Sequence, residues 1–277
     1  MRRTVWFLAV ALLLAWWPTA GPATAGQDMS GRARQLYNAG RFEEAIARAE
    51  QDVKDPKQHV AAALILSRAR LERYRAGRDP KDLADARVDL LRLDPTKLST
   101  EDRVEWQIGV AETLFLEGQP GPAAELFGNL FEAVRQRPYD QARLLDWWAT
   151  ALERQAEPRP RNERTAIYRR IIERMEDELD RNPLSPAALY WLPAAVRGAG
   201  DLDRAWNAAV ASWVRTEGLD GEASLREDLD RLMLQGIIPE RARQRTRQPL
   251  DAEATIGEMA SMADEWEGIK RRWTAGS

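Results

Sequence analysis

Cysteine is missing from the 277 residues, and histidine occurs once. The first absence excludes disulfides, thiolate-bound metal and a cysteine nucleophile. The second leaves His59 as the single imidazole, which argues against a histidine-based zinc site. A Ser-His-Asp triad would have to recruit His59, and no Gly-x-Ser-x-Gly turn supplies its serine. A P-loop is lacking, as is a Gly-x-Gly-x-x-Gly after a strand, so neither cofactor nor metal is expected. Charge of one sign is also in short supply. The 41 Lys and Arg stand against 44 Asp and Glu, a net of -3, which offers no electrostatic case for nucleic acid. Valine and isoleucine together number 21 against 43 alanines, a balance that favours helix over sheet.

What the chain does have begins with a leader. Arg2-Arg3 precede a 13-residue apolar stretch, Val5 to Trp17, and Ala23-Thr24-Ala25 has the small-x-small form of a cleavage site. Spanning a bilayer takes about 20 apolar residues, and Pro18 ends this run too early. Residues 1–25 therefore read as a secretory signal peptide cut between Ala25 and Gly26. The mature chain is expected to lack a stable membrane span and to be periplasmic or secreted.

One hexapeptide then recurs. Gly200-Asp201-Leu202-Asp203-Arg204-Ala205 has the form Gly-x-(apolar)-x-x-Ala and lies between two amphipathic patterns. The same hexapeptide appears as Gly40-Arg41-Phe42-Glu43-Glu44-Ala45 and as Gly118-Gln119-Pro120-Gly121-Pro122-Ala123. The copies are 78 and 82 residues apart, each near two units of about 40 residues, a spacing suited to helical hairpins. The glycine ends one helix at positive φ, and the alanine lets the two helices approach closely. In this register the chain resembles the tetratricopeptide repeat. Ala111, Gly118, Ala123, Phe127 and Leu130 match one unit; Leu192, Gly200, Leu202, Ala205 and Ala209 match another. A third is carried by Leu36, Tyr37, Gly40, Phe42, Ala45, Ile46 and Pro56. Two looser units intervene, one with Gly77 at its turn and one with Ala156 in the glycine's place. The resemblance implies an all-α, right-handed superhelical solenoid of about five helix pairs over residues 26–217. Residues 218–277 are read as a helical cap, needed because a solenoid's last repeat exposes an apolar face.

The resemblance also implies that the first helix of each pair lines a concave surface. Aligning on Gly118 puts Glu112 and Phe115 there, and aligning on Gly200 adds Tyr190, Trp191 and Arg197. The fourth unit, aligned through Ala149, contributes Asp146, Trp147 and Arg154. The adjacent pairs Trp147-Trp148 and Tyr190-Trp191 each have one ring facing inward and one toward the groove, since neighbouring helix positions lie about 100° apart. Aromatic anchors with charges of both signs suit an extended peptide or a partner helix. The expected function is a non-catalytic scaffold for a partner protein or peptide of the cell envelope. Two alternatives stand beside it: an envelope glycan hydrolase using paired carboxylates, and a structural subunit of an export or assembly complex. The proline-broken turn from Glu157 to Asn162, longer than its counterparts, and the alternating Arg241, Arg243, Arg245 and Arg247 complete the features of note.

Overall fold

The computed structural model describes residues 30–135, 138–219, 221–246 and 251–274. The leader, its Ala25–Gly26 junction and Arg247 lie outside these residues. Among the described residues the chain is all-α, without strands. Its first five helix pairs are α1 (Ser30–Asn38) with α2 (Phe42–Asp52), α3 (His59–Gly77) with α4 (Pro80–Leu91), α5 (Thr100–Leu116) with α6 (Pro120–Asn129), α8 (Pro138–Ala156) with α9 (Arg161–Arg181), and α10 (Pro186–Ala199) with α11 (Leu202–Arg215). The short α7 (Phe131–Val134) joins the third pair to the fourth. Then come α12 (Glu222–Leu232), a π turn (Met233–Ile237), α13 (Ile238–Arg245) and α14 (Ala252–Thr274).

The turn chemistry explains the pairing. Gly40, Gly118 and Gly200 have φ of 70°, 78° and 92° and lie between the helices of their pairs. Ala45, Ala123 and Ala205 have no exposed surface, as close packing of paired helices requires. The second pair departs from expectation: Gly77 ends α3, but the left-handed residue is Arg78, at φ 57°. Some helix starts carry side-chain caps. Ser99 accepts from the Asp102 amide at 3.1 Å, and Asp251 Oδ1 accepts from the Glu253 and Ala254 amides at 2.9 and 3.1 Å.

Packing runs along the first helices, α1 on α3 on α5, and again α8 on α10 on α12. One continuous apolar core extends from Val104 to Ile269, while α1 to α4 are held by two smaller clusters. The C-terminal helices cover α11. Trp266 sits edge-on to Trp206 and Trp213, with centroids 6.5 and 5.2 Å away, and donates to Asp230 at 2.7 Å. α12 does not stop at Gly236–Pro239 but continues through the π turn into α13. Ile256 and Trp273 of α14 are 68% and 51% exposed. Ile256 falls off the line of Met262, Trp266 and Ile269.

Candidate functional site: the face of the first helices

The buried stripe of α8 is Leu144, Leu145, Trp148 and Leu152, so Arg143, Asp146, Trp147, Glu153 and Arg154 fall on flanking faces of that helix. On α3 the charged residues Arg68, Glu72 and Arg75 recur at i, i+4 and i+7. Glu105 and Glu112 are spaced by seven on α5. These three helices bring their polar rows together. Arg68 pairs with Glu105, and its guanidinium covers the ring of Tyr37 at 5.2 Å. Arg75 pairs with Glu72 at 2.7 Å and Glu112 at 3.3 Å, and it also lies 5.7 Å from the Trp147 ring. Arg143 covers that same ring at 4.6 Å, and Phe127 tilts against it at 5.8 Å. Arg154 stacks on Phe115 at 4.9 Å. Three of the aromatic rings on this face therefore carry guanidinium groups, and those of Arg68 and Arg75 are tied to carboxylates of α3 and α5 as well.

The eight residues nominated from the sequence fare differently. Phe115, Trp147, Tyr190, Asp146 and Arg197 are half-buried, and Arg154 is exposed. Glu112 and Trp191 are only 2% and 1% exposed, which corrects their assignment to an open groove surface. Trp191 is enclosed because its Nε1 donates to Asp146 across the helix interface at 2.8 Å. Of the two aromatic pairs, Trp148 and Trp191 face inward, while Trp147 and Tyr190 are half-exposed. Tyr190 meets Trp191 edge-on at 5.4 Å.

Farther along the face, Glu153 of α8 lies in the environment of Tyr168, Tyr190 and Arg197. Arg197 pairs with Glu240 at 2.6 Å and rests on Gly236, where a Cβ would come within 2.9 Å of its guanidinium. Burial pushes the Asp146 carboxyl up, against the lowering effect of the Trp191 bond, and burial also raises Asp228. Burial, followed by the nearby Glu157, pushes Glu153 up to about 7, although Arg197 and Arg154 oppose the rise. Burial and then the Glu153 carboxylate push the Tyr190 phenol up to about 12. Glu153 was not nominated from the sequence, although its position seven residues after Asp146 places it on the same face.

A pH dependence follows. An exposed glutamate titrates near 4.5, whereas folded Glu153 titrates near 7. Between those values the unfolded chain has lost its proton and the folded chain retains it, so this group's stabilising contribution is lost as pH rises through the window. Discounted for partial exposure, the effect is about 2 kcal/mol. Urea denaturation at pH 5 and pH 8 should show Glu153→Gln gaining stability relative to the parent at pH 8 but not at pH 5. Equal differences at both pH values would contradict the raised carboxyl.

Among the described residues, no group of three or more histidine, aspartate or glutamate side chains is arranged to hold a metal ion. No helix there is long and apolar enough to cross a membrane. No family model matches the chain, and neither a curated protein nor a solved structure matches it.

Proposed function

We propose that this chain is an exported, non-catalytic scaffold: a tetratricopeptide-like solenoid that holds an extended peptide or partner helix of the cell envelope along its first-helix face. The carrying observation is the continuous row of arginine–aromatic stacks and carboxylates from Tyr37 on α1 to Tyr190 on α10. Such a row offers flat, desolvated surface together with donors and acceptors at intervals, as recognition of a partner segment requires. Export rests on the basic, apolar and small-x-small succession from Arg2 to Ala25.

Trp147 is the ring through which this reading is tested. It is half-buried and bordered by two guanidinium groups. A photoreactive residue at position 147 should crosslink one defined partner in native envelopes, whereas one at exposed Arg243 should not. For that partner, Trp147→Ala should weaken affinity by about 2 kcal/mol, roughly thirtyfold. Unchanged affinity in a folded Trp147→Ala variant would refute the assignment of this face.

A further inference from the structure

At the edge of that face, the turn joining α5 to α6 and the turn joining α8 to α9 flank an open crevice of about 490 Å³. Its walls include Pro120, Pro122 and Pro158, and its polar side chains come from Gln119, Arg154, Gln155 and Arg159. Among the described residues no acidic one lines it. The two turns are unrelated in sequence: one carries the prolines of the second hexapeptide, and the other is the long turn after Ala156.

The two arginines are available to different degrees. Arg154 is exposed, stacks on Phe115 at 4.9 Å and has no carboxylate within 4.0 Å among the described residues. Stacking fixes the plane of its guanidinium and leaves the fork of N–H groups for a planar or tetrahedral oxyanion. Arg159 meets Glu163 at 3.3 Å, but both side chains are half-exposed, so this pair holds Arg159 only weakly. The Gln155 amide rests on Gly121, where a Cβ would approach its Nε2 to 3.3 Å. Gln119 precedes α6 without forming a side-chain cap, so its amide is not committed to the helix end. Prolines at three wall positions fix φ and limit the ordering needed to receive a ligand.

The geometry points to an oxyanion-binding site in this crevice, with Arg154 as the principal ligand-binding residue, Arg159 as the second cation, and a carboxylate or phosphate group as the bound species. The site goes beyond the scaffold reading. It is formed by inter-helix turns rather than by the row of first helices, and only Arg154 and Phe115 are common to both.

Titrating the full-length ¹⁵N-labelled protein at low ionic strength with inorganic phosphate or N-acetylglycine tests the assignment. Saturable shifts of the Gly118 and Gly121 amides are expected with at least one anion, and none with neutral acetamide. Arg154→Gln should weaken the response at least tenfold, Arg154→Lys by less, and Arg243→Gln not at all. Arg159→Gln, with an intermediate loss, gives a second reading should Arg154→Gln shift the melting temperature. Tighter binding of phosphate assigns a phosphate ester as the natural ligand class, and tighter binding of N-acetylglycine assigns a carboxylate. The site is refuted if neither anion moves these glycines, if the shifts survive in Arg154→Gln, or if Arg243→Gln weakens them equally.

Discussion

Replacing Trp191 by alanine should cost about 4 kcal/mol of stability, the range measured when a large buried aromatic side chain is truncated. The ring is 1% exposed, and its Nε1 holds Asp146 at 2.8 Å. The substitution opens a cavity and removes the hydrogen bond that offsets the burial of that carboxylate. Trp191→Phe separates the two effects: it retains most of the volume and loses only the donor, so about 1 to 2 kcal/mol is expected. Urea denaturation of both variants measures the difference. A loss below about 1 kcal/mol for the alanine variant would contradict the enclosed position, since surface substitutions fall in that range.

Gly198→Ala should also destabilise, although alanine is the better helix former by about 1 kcal/mol. Gly198 lies within α10, against the ring of Tyr168 from α9. A Cβ at this position would come within 2.3 Å of Tyr168 Cζ and 2.4 Å of Cε1. Tyr168 is only 7% exposed, so its ring cannot swing clear without disturbing the core. Overpacking of this kind costs about 1 to 3 kcal/mol or more, enough to outweigh the helix gain. A thermal melt should show a lowered Tm for Gly198→Ala. In a double-mutant cycle, the penalty should largely vanish in a Tyr168→Ala background, because the colliding ring is gone. An equal penalty in both backgrounds would locate the cost elsewhere.

How far the sequence reveals this arrangement differs from one feature to the next. Gly40, Gly118 and Gly200 could be read directly, because a required positive φ leaves a residue-type mark. Arg78 could not: arginine carries no such mark, and the adjacent Gly77 drew the expectation to itself. Helical spacing correctly separated Trp147 from Trp148, since that is a property of one helix. Trp191 was misplaced because its burial depends on Asp146, an acceptor on a helix distant in sequence. The arginine covers over Tyr37, Trp147 and Phe115 have the same origin. Trp147 and Phe115 were legible as candidate anchors and Tyr37 only as a repeat residue, but the guanidinium above each comes wholly or partly from another helix. The elevated Glu153 carboxyl depends first on burial by the packed helices, which periodicity along α8 does not register.

The π turn at Met233–Ile237 acts as a change of phase. Leu229 and Leu232 set the inward line of α12, and in unbroken α geometry the positions eleven residues later return to that line. Those positions are Glu240 and Arg243, so a continuous helix would turn two charges into the core. Widening one turn admits an extra residue and resets the rotation. Ile238 and Ala242, on a different line from Leu229 and Leu232, are the buried residues of α13, and Glu240 is left to meet Arg197. Arg241 is brought over Trp206 and onto Asp203. A helix that changes register once can thus present one stripe to α10 and a different one to α11.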